Sequence, residues 1–249
     1  MDEPTPSSPL SERTRQLLPV ALGYAAGYVD GCTFVALFGF FIAQVTGSFV
    51  VAGAVLAAGQ HSRLLDLLAI PAFALGAAVA SALSAILRHR GVRASPILLG
   101  LESVLLAGML ATALLEPEIQ NPDQPAALIV GLFGLTAMGV QNAFVGLHVK
   151  GAPSTNVMTT NTGNLAIDAA HVLTVAWLAR FASAASSLPE AEQARRRLAE
   201  TAPIVSAFLA GTVSGTLACR VLGFACLALP LALLSILASL AALRQFDDE

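Results

Sequence analysis

The stretch LLPVALGYAAGYVDGCTFVALFGFF, residues 17–41, is a membrane-type run with one carboxylate at its centre. Thirteen mostly apolar residues precede Asp30, and no basic residue lies nearby in the run to pair with it. A carboxylate at that depth in a bilayer costs about 3 kcal/mol on insertion scales and more in simulations. A residue kept at such a cost is a candidate for a task.

The rest of the chain repeats the pattern. It has 249 residues, 56% of them hydrophobic and 12% charged, with a mean hydropathy of +0.75. Soluble domains carry about twice that charged fraction. This reads as an all-α, polytopic membrane helix bundle, with no room for a soluble catalytic domain. The net charge of −3 says little, because the position of each charge matters more than the sum. Cys32, Cys219 and Cys226 all fall in apolar segments at a spacing that fits no zinc site and no disulfide framework, so they read as packing residues. No metal and no cofactor is expected.

Eight apolar segments can be marked: 17–40, 44–60, 65–88, 95–115, 126–147, 157–180, 201–219 and 221–243. The polar, Pro/Ser-rich residues 1–16 read as a disordered N-terminus and not as a signal peptide. Arg13 and Arg15 precede the first segment, and Arg88, Arg90 and Arg93 follow the third. Arg195, Arg196 and Arg197 follow the sixth, and Arg244 opens the tail 244–249. The loop 116–125 is acidic and has no basic residue. All basic clusters share the cytoplasmic side if 17–60 and 126–180 each make one net crossing. The expectation is six net crossings, both termini cytoplasmic, loop 116–125 external and linker 181–200 a cytoplasmic surface helix. Whether 44–60 and 157–180 cross fully or are re-entrant stays open at this level.

The halves 17–115 and 126–243 resemble each other. GYVDG at 27–31 aligns with GVQNA at 139–143, pairing Asp30 with Asn142. Thr46-Gly47-Ser48 aligns with Thr162-Gly163-Asn164, after a four-residue insertion near Lys150–Pro153. Three net crossings per half would make the repeats inverted, each opening with a polar-broken helix, as in many secondary transporters.

With GYVD and TGS in the first half, and MGVQNA and TTNTGNL in the second, the chain resembles the YoaK-type family of bacterial inner-membrane proteins. The resemblance covers most of the chain. It implies about six spans and a multi-pass location in the bacterial inner membrane, and it names no substrate. Ser48 departs from the family's usual TGN turn.

Two intramembrane helix starts, one per half, could direct their positive ends at a common site. The candidate solute-binding residues are therefore Asp30, Gln44, Thr46, Gly47, Gln141, Asn142, Asn161, Thr162, Gly163 and Asn164. The bland alternative is an interfacial loop and cap in each half. Asp30, Glu102, Asp168 and His171 are the candidates for proton coupling. Asp168 and His171 share a helix face and could relay a proton or simply fix packing. Glu102 either faces the interior or reaches the headgroups. No Lys or Arg is central in any span, so acids, amides and hydroxyls suit a cation, a neutral polar solute or a proton-coupled one. The expected partners are the lipid bilayer and a small solute, with no nucleic acid. Gly23/Gly27 and Gly211/Gly215 permit close helix approach, within one subunit or in a homodimer. The leading expectation is a small secondary transporter and not an enzyme. Its rivals are a structural or assembly protein and a lipid-acting membrane enzyme using Asp168 and His171.

Overall fold

The computed structural model describes residues 9–58, 64–116, 119–149, 151–178 and 188–243. Among them the chain forms eight α-helices and no strand. These are α1 (Pro9–Ala36), α2 (Thr46–Ala58), α3 (Leu64–His89), α4 (Ser95–Leu115), α5 (Pro125–His148), α6 (Met158–Leu178), α7 (Leu188–Leu222) and α8 (Ala228–Ala242), with a 3₁₀ turn Gly223–Leu227 between the last two. Among the described residues, four stretches are long and apolar enough to cross a membrane: Leu64–His89, Ser95–Leu115, Pro125–His148 and Pro189–Ala242, the last holding both α7 and α8. The protein is thus a helical, membrane-type chain.

Local chemistry sets the helix boundaries. Pro96 and Pro125 stand in the first turns of α4 and α5, where a missing N–H is harmless. Gly91 ends α3 at φ 66°, and Val92 N–H returns to Leu87 O at 2.9 Å, closing the free carbonyls of the last turn. Gly223 ends α7 at φ 57°.

Two expectations about the ends need correction. Helix α1 begins at Pro9, inside the stretch 1–16 expected to be disordered; residues 1–8 and the tail 244–249 lie outside the described residues. Residues 188–200 do not form a separate surface helix, because α7 runs unbroken for 35 residues. At 1.5 Å per residue that is about 52 Å, against about 30 Å of hydrocarbon. The charged first third of α7, with Glu190, Glu192 and Arg195–Arg197, therefore projects beyond the apolar slab as part of the same rod.

Helix pairing follows a repeated plan. Helix α1 packs on α7, and α3 on α5; α4 lies between α5 and α8, α6 runs along α7, and α2 lies on α3. Glycine makes both principal crossings. A Cβ on Gly27 would overlap Phe208 O, and one on Gly211 would overlap Tyr24 O. Likewise a Cβ on Gly139 would overlap Phe73 O, and one on Gly76 would overlap Thr136 O. Gly27 and Tyr24 stand to Phe208 and Gly211 as Gly139 and Thr136 stand to Phe73 and Gly76. Gly31 against Thr212 and Gly215 against Tyr28 extend the first crossing by one turn, in the order expected of parallel helices. The glycine motifs thus serve packing inside one chain, where lipid supplies no hydrophobic drive and close backbone contact must do the work. Arg93 donates to Ala241 O at 2.7 Å, tying the start of α4 to the end of α8.

Candidate functional site

Asp30 is 2% exposed on the inner face of α1. Its Oδ1 accepts from Ile42 N–H at 2.8 Å and from Ala43 N–H at 2.6 Å. The chain turns back after α1 at Phe38 and Gly39, both at positive φ, so that residues 42–43 return to the level of Asp30. The carboxylate therefore holds the folded-back loop from which α2 starts at Thr46. Buried backbone N–H groups need an acceptor, and Asp30 supplies it here.

The second half solves the same problem with amides. Gln141 is fully buried, and its Nε2 lies 3.2 Å from Leu22 O on α1 and 2.9 Å from Thr155 Oγ1. Asn156 Nδ2 donates to Met138 O at 3.1 Å. Asn161 Nδ2 donates to Ser154 O at 2.6 Å, and Ser154 Oγ donates to Asn142 Oδ1 at 3.2 Å. Asp30 and Asn142, aligned in sequence, thus share a role: each reaches the loop that follows its own helix.

The loops differ where the insertion falls. Helix α2 starts at Thr46, as its Thr-Gly-Ser turn led us to expect, but α6 starts at Met158. The four-residue insertion puts Thr162, Gly163 and Asn164 in the second turn of α6, so they do not start a helix. Thr46, Gly47, Thr162, Gly163 and Asn164 are all exposed on the protein surface, and Gln44 and Asn142 are half-buried.

A cavity of about 610 Å³ opens beside this region. Ser154, Thr160, Asn161, Asn164, Asp168, Arg197, Glu200 and Thr201 supply its polar lining. Of the ten candidate binding residues it takes Asn161 and Asn164; Asp30, Gln44, Thr46, Gly47, Gln141, Asn142, Thr162 and Gly163 are not in its wall. Leu22, the α1 residue that Gln141 touches, lies eight residues from Asp30, or about 12 Å along the helix. The two loop-holding clusters sit at different levels.

The main partner of Asp168 is Arg197, not His171. Its carboxylate takes Arg197 Nη2 at 2.6 Å and Nε at 3.1 Å and 3.2 Å. Asp168 is buried, and Arg197 is half-exposed. Sequence reading missed this pair because residues 181–200 appeared to be a detached linker, whereas continuity of α7 carries Arg197 back to α6. His171 is half-buried one turn away.

Glu102 faces the interior, fully buried among the α4 side chains Leu98, Leu99 and Leu106. Among the described residues, the buried side-chain polar atoms with no hydrogen-bond partner are Glu102 Oε1 and Oε2, Asp30 Oδ2 and Gln141 Oε1. All four are oxygens able to accept, on α1, α4 and α5. Buried polar groups are ordinarily satisfied, so this set marks a demand for donors.

A family model described as a protein of unknown function (DUF1275) matches residues 18–240, and the chain belongs to that family. YoaK-type proteins are members of it, so the resemblance carried by the GYVD and TTNTGNL motifs holds. No curated protein and no solved structure matches the chain.

Proposed function

We propose that this protein is a small secondary transporter of the bacterial inner membrane. It would carry a small polar or cationic solute, coupled to protons through Asp30 and Glu102. The observation that carries this reading is the chemistry of the unpartnered interior atoms. A proton, an ammonium group or a hydroxyl-rich solute supplies the donors that Glu102, Asp30 Oδ2 and Gln141 Oε1 lack. The paired glycine crossings support two repeats of three net crossings with opposite orientation. Their interface would run through α1 and α5, where Gln141 meets Leu22. The cavity by Asp168 and Arg197 would be the cytoplasmic vestibule, since it lies beside the charged end of α7.

The reading is tested in proteoliposomes with an imposed pH gradient, using a panel of radiolabelled amino acids, polyamines and monovalent cations. One class should accumulate above protein-free vesicles. Glu102→Gln and Asp30→Asn should keep the fold but remove the dependence on the pH gradient, because an amide cannot titrate. If the folded wild-type protein accumulates nothing in the panel, the structural reading gains. That rival has its own support, since Asp30 and Asn142 already serve the loops beside them.

The orientation is tested by single cysteines at Gln193 and Asp123 in a background lacking Cys32, Cys219 and Cys226. Both sites are exposed. With both termini and the start of α7 cytoplasmic, they should label from opposite sides of the membrane. Labelling from the same side would refute the six-crossing arrangement.

A further inference from the structure

Three cysteines from two distant parts of the sequence meet in the interior. Cys32 comes from α1, Cys219 from the last turn of α7, and Cys226 from the 3₁₀ turn that follows. They are the chain's complete set. All are buried, and their sulfurs lie within 4.8 Å of one another. The Cys226 and Cys32 sulfurs are 3.3 Å apart, and Cys219 Sγ lies 3.5 Å from Cys32 O. Tyr28, one turn before Cys32, is hydrogen-bonded to Cys226.

The fold does not require sulfur there. At the matching end of the α3–α5 crossing, Phe144 and Ser84 occupy the places of Cys32 and Cys219. Ser84 Oγ is bonded to His148 Nε2 at 2.8 Å. The same helix crossing is therefore built elsewhere in this chain without a thiol.

We propose that Cys32, Cys219 and Cys226 form a trigonal site for one soft monovalent ion of the Cu(I) class. A metal about 2.3 Å from each of three sulfurs, in their plane, sets the sulfurs about 4.0 Å apart. The Cys32–Cys226 pair must widen from 3.3 Å to about that separation, and all three sulfurs already lie within 4.8 Å of one another. Among the described residues, no His, Asp or Glu joins the three sulfurs in the cluster. A tetrahedral zinc site would lack its fourth ligand, whereas thiolates alone satisfy Cu(I). Binding replaces thiol protons with the ion and releases them to water, with no electron transferred. The Tyr28 hydroxyl can donate to the Cys226 thiolate, in the manner of an outer-shell partner. Arg220 to Gly223 are exposed beside the site, so the 3₁₀ turn is the entry.

The test uses the reduced, detergent-purified full chain, titrated with Cu(I) without oxygen against the chelator bicinchoninate. The expected result is one copper per chain held against the chelator. X-ray absorption should show a sulfur shell at about 2.3 Å. Cys32→Ser and Cys226→Ser should each weaken retention by about 100-fold or more. Monodisperse elution of each variant separates ligand loss from misfolding. Failure of the wild-type chain to retain copper overturns the proposal, and so does retention that both serine variants share. A Cys32–Cys226 disulfide in unreduced protein, read as a loss of two hydrogens by intact mass, would also overturn it in favour of a redox pair.

Discussion

Gly211→Val should separate α1 from α7 and leave little folded protein. Its Cβ would fall on the carbonyl oxygen of Tyr24 and against the backbone nitrogen of Tyr28. Neither atom belongs to a side chain that can rotate away, so a helix must move. Overpacking that side chains can absorb costs about 1–3 kcal/mol. A backbone clash at the main seam lies at or above that limit. Gly76→Val should do the same to α3 and α5, because it meets Thr136 O in the matching geometry. Gly100→Val is the control, with open space around its Cβ position. Thermal or SDS resistance in detergent measures the effect. The two seam variants should lose most of it, and the control should keep it. Equal behaviour of all three would show that the glycine crossings do not hold the bundle.

Asp30→Ala should release the loop before α2, whereas Asp30→Asn should not. The alanine removes the acceptor for Ile42 N–H and Ala43 N–H, which are then buried with no water to replace it. Each unsatisfied donor costs about 1–3 kcal/mol, so the pair amounts to about 2–6 kcal/mol. The asparagine keeps one oxygen where Oδ1 stands. Hydrogen exchange at residues 42–45 is the measurement: fast in the alanine variant, protected in the asparagine variant. Together with transport, the two variants separate the jobs of the carboxylate. An asparagine variant that folds but no longer responds to a pH gradient assigns the proton to Asp30. An alanine variant with native protection would mean that the carboxylate does not hold the loop.

Several features were legible before any coordinates. Apolar runs and their polar breaks located α2 to α6 to within a few residues, because each helix must satisfy its backbone within itself in lipid, but they missed the starts of α1, α7 and α8 by seven residues or more. The pairing of Asp30 with Asn142, and of Gly27 with Gly139, could be read from local motifs. It reappears as matched loop contacts and matched crossings. The insertion near Lys150–Pro153 was visible too, yet its effect was not, since a helix can begin four residues earlier without any strong local signal.

Membrane class, helix count and the repeat are properties of local composition and period, and the chain carries them in any conformation. The Asp168–Arg197 pair, the three-cysteine cluster and the split of the expected pocket into two loop-holding clusters joined residues up to 194 positions apart. No period or spacing encodes those meetings. They arise because α7 continues as one rod past Arg197, and because small residues at two crossings let backbones approach closely. Close approach is a property of two surfaces at once, and only the packed helices bring both together.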